Sequence, residues 1–183
     1  MMTRGPDREK GAAAIEMAIV VGILVMLAIG AFEYGMAFRS WFGVTAASRE
    51  GARVGASAGS ASAADCTVLE AAAAALLSNT GNEIVNLEIF KHDPGSGLNG
   101  PSSNYRPFDP DADDTANLVC GAWFEISDNW TSTSRDDDGA TRDWLGVEVT
   151  YQHEWITGAF WWDGTITWTD STIMHLEPVP YSS

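Results

Sequence analysis

A single carboxylate in the most apolar stretch of the chain is the first residue that could do chemistry. Glu16 lies in the run AAAIEMAIVVGILVMLAIGAF, residues 12–32, which contains no other charged residue. A carboxylate inside a membrane helix costs about 2.5–3.5 kcal/mol on insertion scales, so it normally has a charged partner and a function. The alternative is an interfacial glutamate that reaches for water, because Glu16 is barely one turn inside the run.

Two cysteines are the second candidate pair. Cys66 and Cys120 both follow the apolar run, and the sequence holds no other cysteine. In an exported domain they predict one disulfide, whereas in the cytosol they would be two free thiols. The topology of the chain therefore decides their state.

An acidic loop carries alternating carboxylates that resemble a calcium site. Asp109, Asp111 and Asp113 stand two residues apart, as the ligands of an EF-hand loop do. An EF-hand would also need glycine in place of Asp114 and a bidentate glutamate in place of Cys120. We therefore interpret this segment as a solvated acidic turn.

The other polar residues form no catalytic or metal-binding pattern. No glycine-rich phosphate loop, nucleophile elbow or HExxH motif occurs in the sequence. Three histidines lack metal-ligand spacing and are interpreted as ordinary sheet or surface residues: His92, His153 and His175. We predict no enzymatic activity, no metal and no cofactor.

Two adjacent tryptophans leave two interpretations open. Trp161 and Trp162 come just before Asp163-Gly164, a pair that suits a tight turn. Both cannot face inward on a regular strand. Core packing and a patch that contacts a partner are therefore both possible for this pair.

Charge is distributed unevenly along the chain. The 183 residues carry a formal net charge of −15, yet the part after Arg53 holds only 4 basic residues against 20 acidic ones. Nucleic-acid binding depends on neutralising phosphates, so this surface argues against DNA or RNA partners. The acidity is interpreted as keeping an exported domain soluble.

The apolar run predicts one membrane-spanning helix. Residues 12–32 match the ~20 residues that a ~30 Å hydrocarbon core requires. The basic leader at residues 1–11 keeps the N-terminus cytoplasmic by the positive-inside rule. A secretory signal peptide would have a shorter apolar stretch of ~7–15 residues. We expect a single-pass protein of the cytoplasmic membrane with its C-terminal part outside.

The helix is predicted to continue beyond the membrane. From Gly11 to about Ala58 the chain contains no proline, and residues 33–58 mix aromatic, small and charged residues as an amphipathic extracytoplasmic half would. After a hinge, Asp65 is a suitable N-cap for a second helix that ends near Gly81. Residues 65–183 are predicted to form the exported domain.

Alternation with a period of two predicts a sheet in that domain. Four segments show it: NEIVNLEIFK, NLVCGAWFEI, DWLGVEVTYQHEW and GTITWTDSTIMHLEP. In the second segment Cys120 would share a face with Phe124 and Ile126. Residues 93–114 and 127–143 are interpreted as surface loops. The predicted fold class is α+β: a long helix, a short helix and an antiparallel sheet of about four strands.

The N-terminal segment resembles the signal of type IV pilin-like proteins. A basic leader ends at Gly11, and Glu16 follows five residues later in an apolar helix. The run AASREGARVGA, with Arg49, Glu50 and Arg53, and the ending TITWTDSTIMHLEP resemble the TadE-like family of the tight-adherence (Tad/Flp) pilus system. The resemblance covers residues 11–57 well and the last strands loosely.

The resemblance implies a processing site and a set of partners. A prepilin peptidase would cut after Gly11, making Ala12 the first residue and Glu16 the fifth. The freed amine of Ala12, on the same or a neighbouring subunit, would then be the partner of Glu16. Met17 departs from the tyrosine of the major Flp pilins, and the domain is far larger than theirs. A minor pilin or pseudopilin is implied, with other pilins, the assembly platform and the membrane as partners, in the cytoplasmic membrane or at the pilus or cell surface.

Two other functions compete with pilus assembly. A signal-anchored adhesin or binding module that never joins a filament would use the Trp161 and Trp162 region and the acidic loops. An anchored hydrolase would need a catalytic pair converging in a pocket, which no motif indicates. Glu16 separates the first of these from an assembly protein, because a simple anchor has no use for it.

Overall fold

The computed structural model describes residues 6–76, 82–138, 141–156, 158 and 164–178, with side chains from residue 11 onward except those of residues 82 and 83. This part of the chain contains two helices: α1, Pro6–Ala58, and α2, Ala64–Leu76. It also contains six strands: β1, Asn82–Asp93; β2, Leu98–Pro107; β3, Leu118–Val119; β4, Trp123–Asp128; β5, Trp144–Glu154; and β6, Thr165–His175. The strands form one antiparallel sheet in the order β3-β4-β2-β1-β5-β6, which confirms the α+β class.

Helix α1 begins earlier than predicted and ends where predicted. It starts at Pro6 rather than Gly11, because proline is accepted in a first helical turn, where its missing N–H has no intrahelical partner to lose. At Gly59 the chain turns with a positive φ of 57°, a conformation that glycine adopts without strain at a helix end. Within the described residues α1 is the one helix long and apolar enough to cross a membrane, over Gly11–Ala58.

The sheet has six strands rather than about four, and two local predictions were wrong. Strand β2 lies inside residues 93–114, which we predicted to be a loop because they are rich in glycine, proline and serine. The strand predicted over NLVCGAWFEI is a β3–β4 hairpin instead. Cys120 and Gly121 turn the chain there with φ of 52° and 73°, so Cys120 does not share a strand face with Phe124 and Ile126.

One face of the sheet packs against both helices and forms the core. The predicted alternation of β5 is confirmed, and its inward residues are fully buried together with those of β1: Leu87, Ile89, Leu145, Val147, Val149 and Tyr151. The alternation of NEIVNLEIFK predicts that Val85 shares the inward face of Leu87 and Ile89. Val85 is exposed instead, because a bulge between Ile84 and Asn86 shifts the alternation. Helix α1 lies along β5 and β6, so the core holds the outer half of the long helix.

The second helix also departs from its predicted N-terminus. It begins at Ala64, so Asp65 stands in the first turn instead of at the N-cap. A carboxylate in the first turn is still favourable, because it faces the positive end of the helix dipole. The predicted end near Gly81 lies outside the described residues.

Candidate functional site

Helix α1 has two halves with different surroundings. Every residue from 11 to 28 is exposed, whereas buried positions recur from Gly30 onward. Glu16 belongs to the exposed half, and no side chain in the described part of the chain forms a hydrogen bond or ion pair with it. The first half therefore offers a surface that is apolar on every side except at Glu16, and the second half carries the domain.

Small residues let the second half of α1 lie close to the sheet. A Cβ added at Gly55 would stand 2.9 Å from Val68 of α2 and 3.0 Å from Leu145 of β5. One added at Gly51 would stand 3.1 Å from Val147. The run AASREGARVGA places these residues at helical spacing on one face, where the close approach of backbone to sheet requires them.

A buried serine of the same run ties α1 to the edge strand. The Ser48 hydroxyl donates to the Asp170 carboxylate at 2.5 Å and lies 3.0 Å from the Thr172 hydroxyl. Both partners are on β6. Because Ser48 is fully buried, these polar contacts fix the helix against one particular position of the strand.

The charged residues of the run lie on the opposite face. Arg53 donates two hydrogen bonds to the Glu50 carboxylate, which lowers the pKa of Glu50 and raises that of Arg53. Arg49 is exposed as well. The two faces of the run therefore have separate roles, one in packing and one at the surface.

A buried glutamate that sequence reasoning missed marks the junction between the two halves of α1. Glu33 is fully buried, and its carboxylate accepts a 3.1 Å hydrogen bond from the backbone N–H of Ile156, just after β5. Its position directly after the apolar run was the available signal, because a carboxylate there must be solvated or bound. The domain therefore covers and binds the helix at the end of the predicted span.

A histidine and two hydroxyls extend this junction along β5. His153 is buried, with its Nδ1 3.3 Å from the Ser40 hydroxyl and 3.4 Å from the Tyr151 hydroxyl. Burial lowers the pKa of His153, and the charge of Glu33 opposes that shift. The neutral imidazole is therefore favoured in the fold. We name the set Glu33, Ser40, Tyr151 and His153 the junction cluster.

The two cysteines are joined in the structure. A disulfide links Cys66 on α2 to Cys120 in the β3–β4 turn, 54 residues apart in the chain. The sequence predicts this pairing, and the structure shows that it holds the short helix to the edge of the sheet formed by β3 and β4, with Cys120 in a turn rather than on a strand. It therefore closes a loop that contains α2, β1, β2 and β3.

A buried ion pair next to the disulfide was not predicted. Arg135 is buried, pairs with Asp65 and lies over the Trp130 ring at 4.7 Å from its centroid. The Tyr105 hydroxyl also donates to Asp65 at 3.2 Å, and its pKa is raised by burial and by that charge. Residues 127–138, predicted to be a surface loop, therefore contribute to the core.

The acidic turn uses its carboxylates internally. Asp113 binds the Arg106 guanidinium, which holds the pKa of Asp113 low. Asp113 also accepts from the backbone of Asp109, whose own carboxylate accepts from the backbone of Asp111. Among the described residues no three histidine, cysteine or acidic side chains stand close enough to hold a metal ion.

The remaining predicted residues lie apart from the junction. His92 and His175 are at the opposite end of the sheet and line a cavity of about 390 Å³ with Lys91, Arg142 and Trp144. Trp161, Trp162 and Asp163 lie outside the described residues, so their interpretation stays as it was.

Comparison with known proteins gives one match, on α1. No curated protein and no solved structure matches the chain. The match covers the exposed apolar half of the helix and residues 46–53 of the small-residue run that packs against the sheet. Residues 11–53 match the family model described as TadE-like protein, so the chain is TadE-like over this segment, as its resemblance predicts.

Proposed function

We propose that this chain is a structural protein of a Tad/Flp-type pilus system, a minor pilin or pseudopilin that takes part in assembly or priming. The observation that carries the proposal is the position of the TadE-like match on a helix whose first half is fully exposed. An exposed apolar half suits both a bilayer and the packing of subunit against subunit. The role is mechanical rather than enzymatic.

Processing prepares the helix for assembly in this proposal. A prepilin peptidase hydrolyses the Gly11–Ala12 peptide bond on the cytoplasmic side, leaving a carboxylate on Gly11 and a free amine on Ala12. The basic leader holds that bond on the cytoplasmic side. The subunit then stays in the membrane by residues 12–32, with the domain outside.

Glu16 selects the position of the neighbouring subunit. The new amine of Ala12 is four residues away, one turn along the helix, and a neighbouring amine at the same depth can also reach the carboxylate. Pairing the two charges offsets the cost of holding either in hydrocarbon. A misplaced neighbour leaves a buried charge unpaired, so assembly becomes selective.

Substitution of Glu16 tests the proposal. In a host strain that lacks the native copy, Glu16→Gln and Glu16→Ala should insert, lose the leader after Gly11 and fold, yet fail to support piliation or to co-purify with sheared pili. Mass spectrometry of the mature protein should find Ala12 as the first residue. Glu50→Gln is the matched control, because Glu50 is exposed on the outer half, and it should assemble normally.

The outcomes separate assembly from anchoring. A Glu16→Ala protein that supports piliation as wild type does would contradict the pairing and leave Glu16 as an interfacial residue. An intact leader, or a first residue beyond Ser57, would contradict the processing. A signal-anchored adhesin has no use for Glu16. That alternative would be favoured if the protein reaches the cell surface without a pilus and if Glu16→Ala does not change its amount there.

A further inference from the structure

The end of the domain next to the predicted membrane span has its own apolar surface. Tyr34 and Ile156 are 52% and 53% exposed, and the Trp155 ring meets the Tyr34 ring edge-on at 5.9 Å between centroids. We propose that Tyr34, Trp155 and Ile156, named here the membrane-proximal edge, sit in the headgroup region of the bilayer and set the depth and orientation of the exported domain. This inference rests on the membrane anchor of the proposed function.

The length of the helix places the boundary of the hydrocarbon core near this edge. A span of ~20 residues that begins at Ala12 ends near Ala31. Glu33 lies two residues further, about 3 Å along the axis at ~1.5 Å per residue. Glu33 is therefore at the level where hydrocarbon gives way to headgroups.

The domain reaches the same level. Burial on α1 begins at Gly30 and includes Glu33, so the helix is already covered at the boundary. The hydrogen bond from the Ile156 N–H to the Glu33 carboxylate fixes the end of β5 at the depth of Glu33. The membrane-proximal edge cannot stand clear of the bilayer unless this bond breaks.

The chemistry of the edge matches the headgroup region. Tyrosine and tryptophan are enriched there because their rings are apolar and their O–H and N–H groups are polar. Phe32, 54% exposed one residue before Glu33, lies at the end of the predicted span. Glu33 itself is covered by the domain and bound to Ile156, so its carboxylate does not face lipid.

The membrane-proximal edge directly follows the predicted membrane span, and this position identifies lipid as its contact partner. A second copy of the chain could cover the same residues only after assembly, whereas lipid surrounds every inserted subunit. The opposite end of the sheet offers a matched surface for comparison. Leu98, 68% exposed, pairs with Asp93 beyond the other end of β5, about 40 Å from Ile156 at ~3.3 Å per strand residue.

Spin labels on the full chain test the inference. Ile156→Cys, Leu98→Cys and Val25→Cys each add one free thiol, because Cys66 and Cys120 are joined in a disulfide. The labelled proteins are placed in lipid nanodiscs at one copy per disc. Collisions of the nitroxide with oxygen, which concentrates in lipid, are compared with collisions with a water-soluble nickel chelate.

The expected pattern is that position 156 resembles position 25 more than position 98. Its ratio of oxygen to nickel collisions should exceed that of position 98 several-fold. The inference is wrong if position 156 is as accessible to nickel as position 98 while position 25 is protected from nickel. In that case the membrane anchor of the proposed function is still supported. If position 25 is itself accessible to nickel, the anchor fails and the inference with it.

A change of density separates lipid from a second copy. The measurement is repeated in vesicles that carry many copies of the chain. Protection of position 156 at one copy per disc, unchanged at high density, supports contact with lipid. Protection that develops only at high density would assign the edge to a neighbouring subunit and overturn the inference.

Discussion

The Ser48 hydroxyl donates a 2.5 Å hydrogen bond to the Asp170 carboxylate across 122 residues of sequence. It joins the TadE-like segment of α1 to the edge strand β6, which has no other strand beyond it in the described sheet. A buried bond to a charged acceptor contributes about 1.5–3 kcal/mol. The packing of α1 and the position of β6 therefore stabilise each other.

Removing this hydroxyl should destabilise the domain. We expect Ser48→Ala to lower the free energy of unfolding by about 1–3 kcal/mol, because the Asp170 carboxylate loses a buried donor. Thermal unfolding of the full chain in detergent micelles measures the change. Ser57→Ala is the control, since the exposed Ser57 hydroxyl bonds, among the described residues, only to the carbonyl of Val54 within its own helix. An equal loss in both variants would contradict the prediction.

Adding one methyl group to α1 should have opposite effects at two glycines. Gly55→Ala places a Cβ 2.9 Å from Val68 and 3.0 Å from Leu145, and overpacking of this kind costs about 1–3 kcal/mol. Gly35→Ala meets nothing within 4 Å and should be neutral or stabilising by up to about 1 kcal/mol through helix propensity. Unfolding temperatures of the two variants, measured in the same detergent, test this difference. A Gly55→Ala protein as stable as Gly35→Ala would mean that α1 does not lie this close to the sheet.

The junction cluster should make stability depend on pH. Burial lowers the pKa of His153, so the unfolded chain takes up a proton at this residue before the folded protein does. In the unfolded chain the pKa of His153 is about 6.5. The stability that comes from keeping His153 neutral is complete above this pH, and it is lost as pH falls from there towards the lower pKa of the folded protein.

Replacing the histidine isolates this contribution. We expect His153→Gln to show a flatter change of unfolding temperature between about pH 5.5 and 7 than wild type. His92→Gln is the control, because His92 is only partly buried and bonds only to Asn99 among the described residues. Wild-type steepness retained in His153→Gln would assign the dependence to other groups.

The disulfide should contribute a large part of the domain's stability. Closing a loop of 54 residues corresponds to about 4 kcal/mol in the chain-entropy model. We expect the double variant Cys66→Ser and Cys120→Ser to unfold at a markedly lower temperature than the oxidised chain. Alkylation of the unreduced protein should label neither thiol. Quantitative labelling of both in protein from the native host would exclude the bond.

Sequence alone determined the features that depend on local pattern. The apolar run and the absence of proline specify α1, because nothing in this stretch interrupts a helix. Strict alternation specifies β5, because it repeats at the two-residue period of a strand with one buried face. The fold class followed from these elements, whereas the TadE-like resemblance followed from the spacing of Gly11 and Glu16 and from the run AASREGARVGA. The pair Cys66 and Cys120 needed no geometry, since two cysteines in an exported domain have only each other.

Tertiary structure alone decided which polar residues are buried and with whom. Glu33 follows the apolar run like any interfacial residue, and the folded domain buries it and binds its carboxylate from Ile156, 123 residues away. Arg135 reads as part of an acidic loop, yet Asp65 and Trp130 hold it in the core. β2 contains too few apolar residues to be recognised, and its pairing with β1 and β4 makes it a strand. A buried charge and a strand of low β-propensity both depend on partners that are distant in sequence. The local pattern of apolar and polar residues does not show those partners.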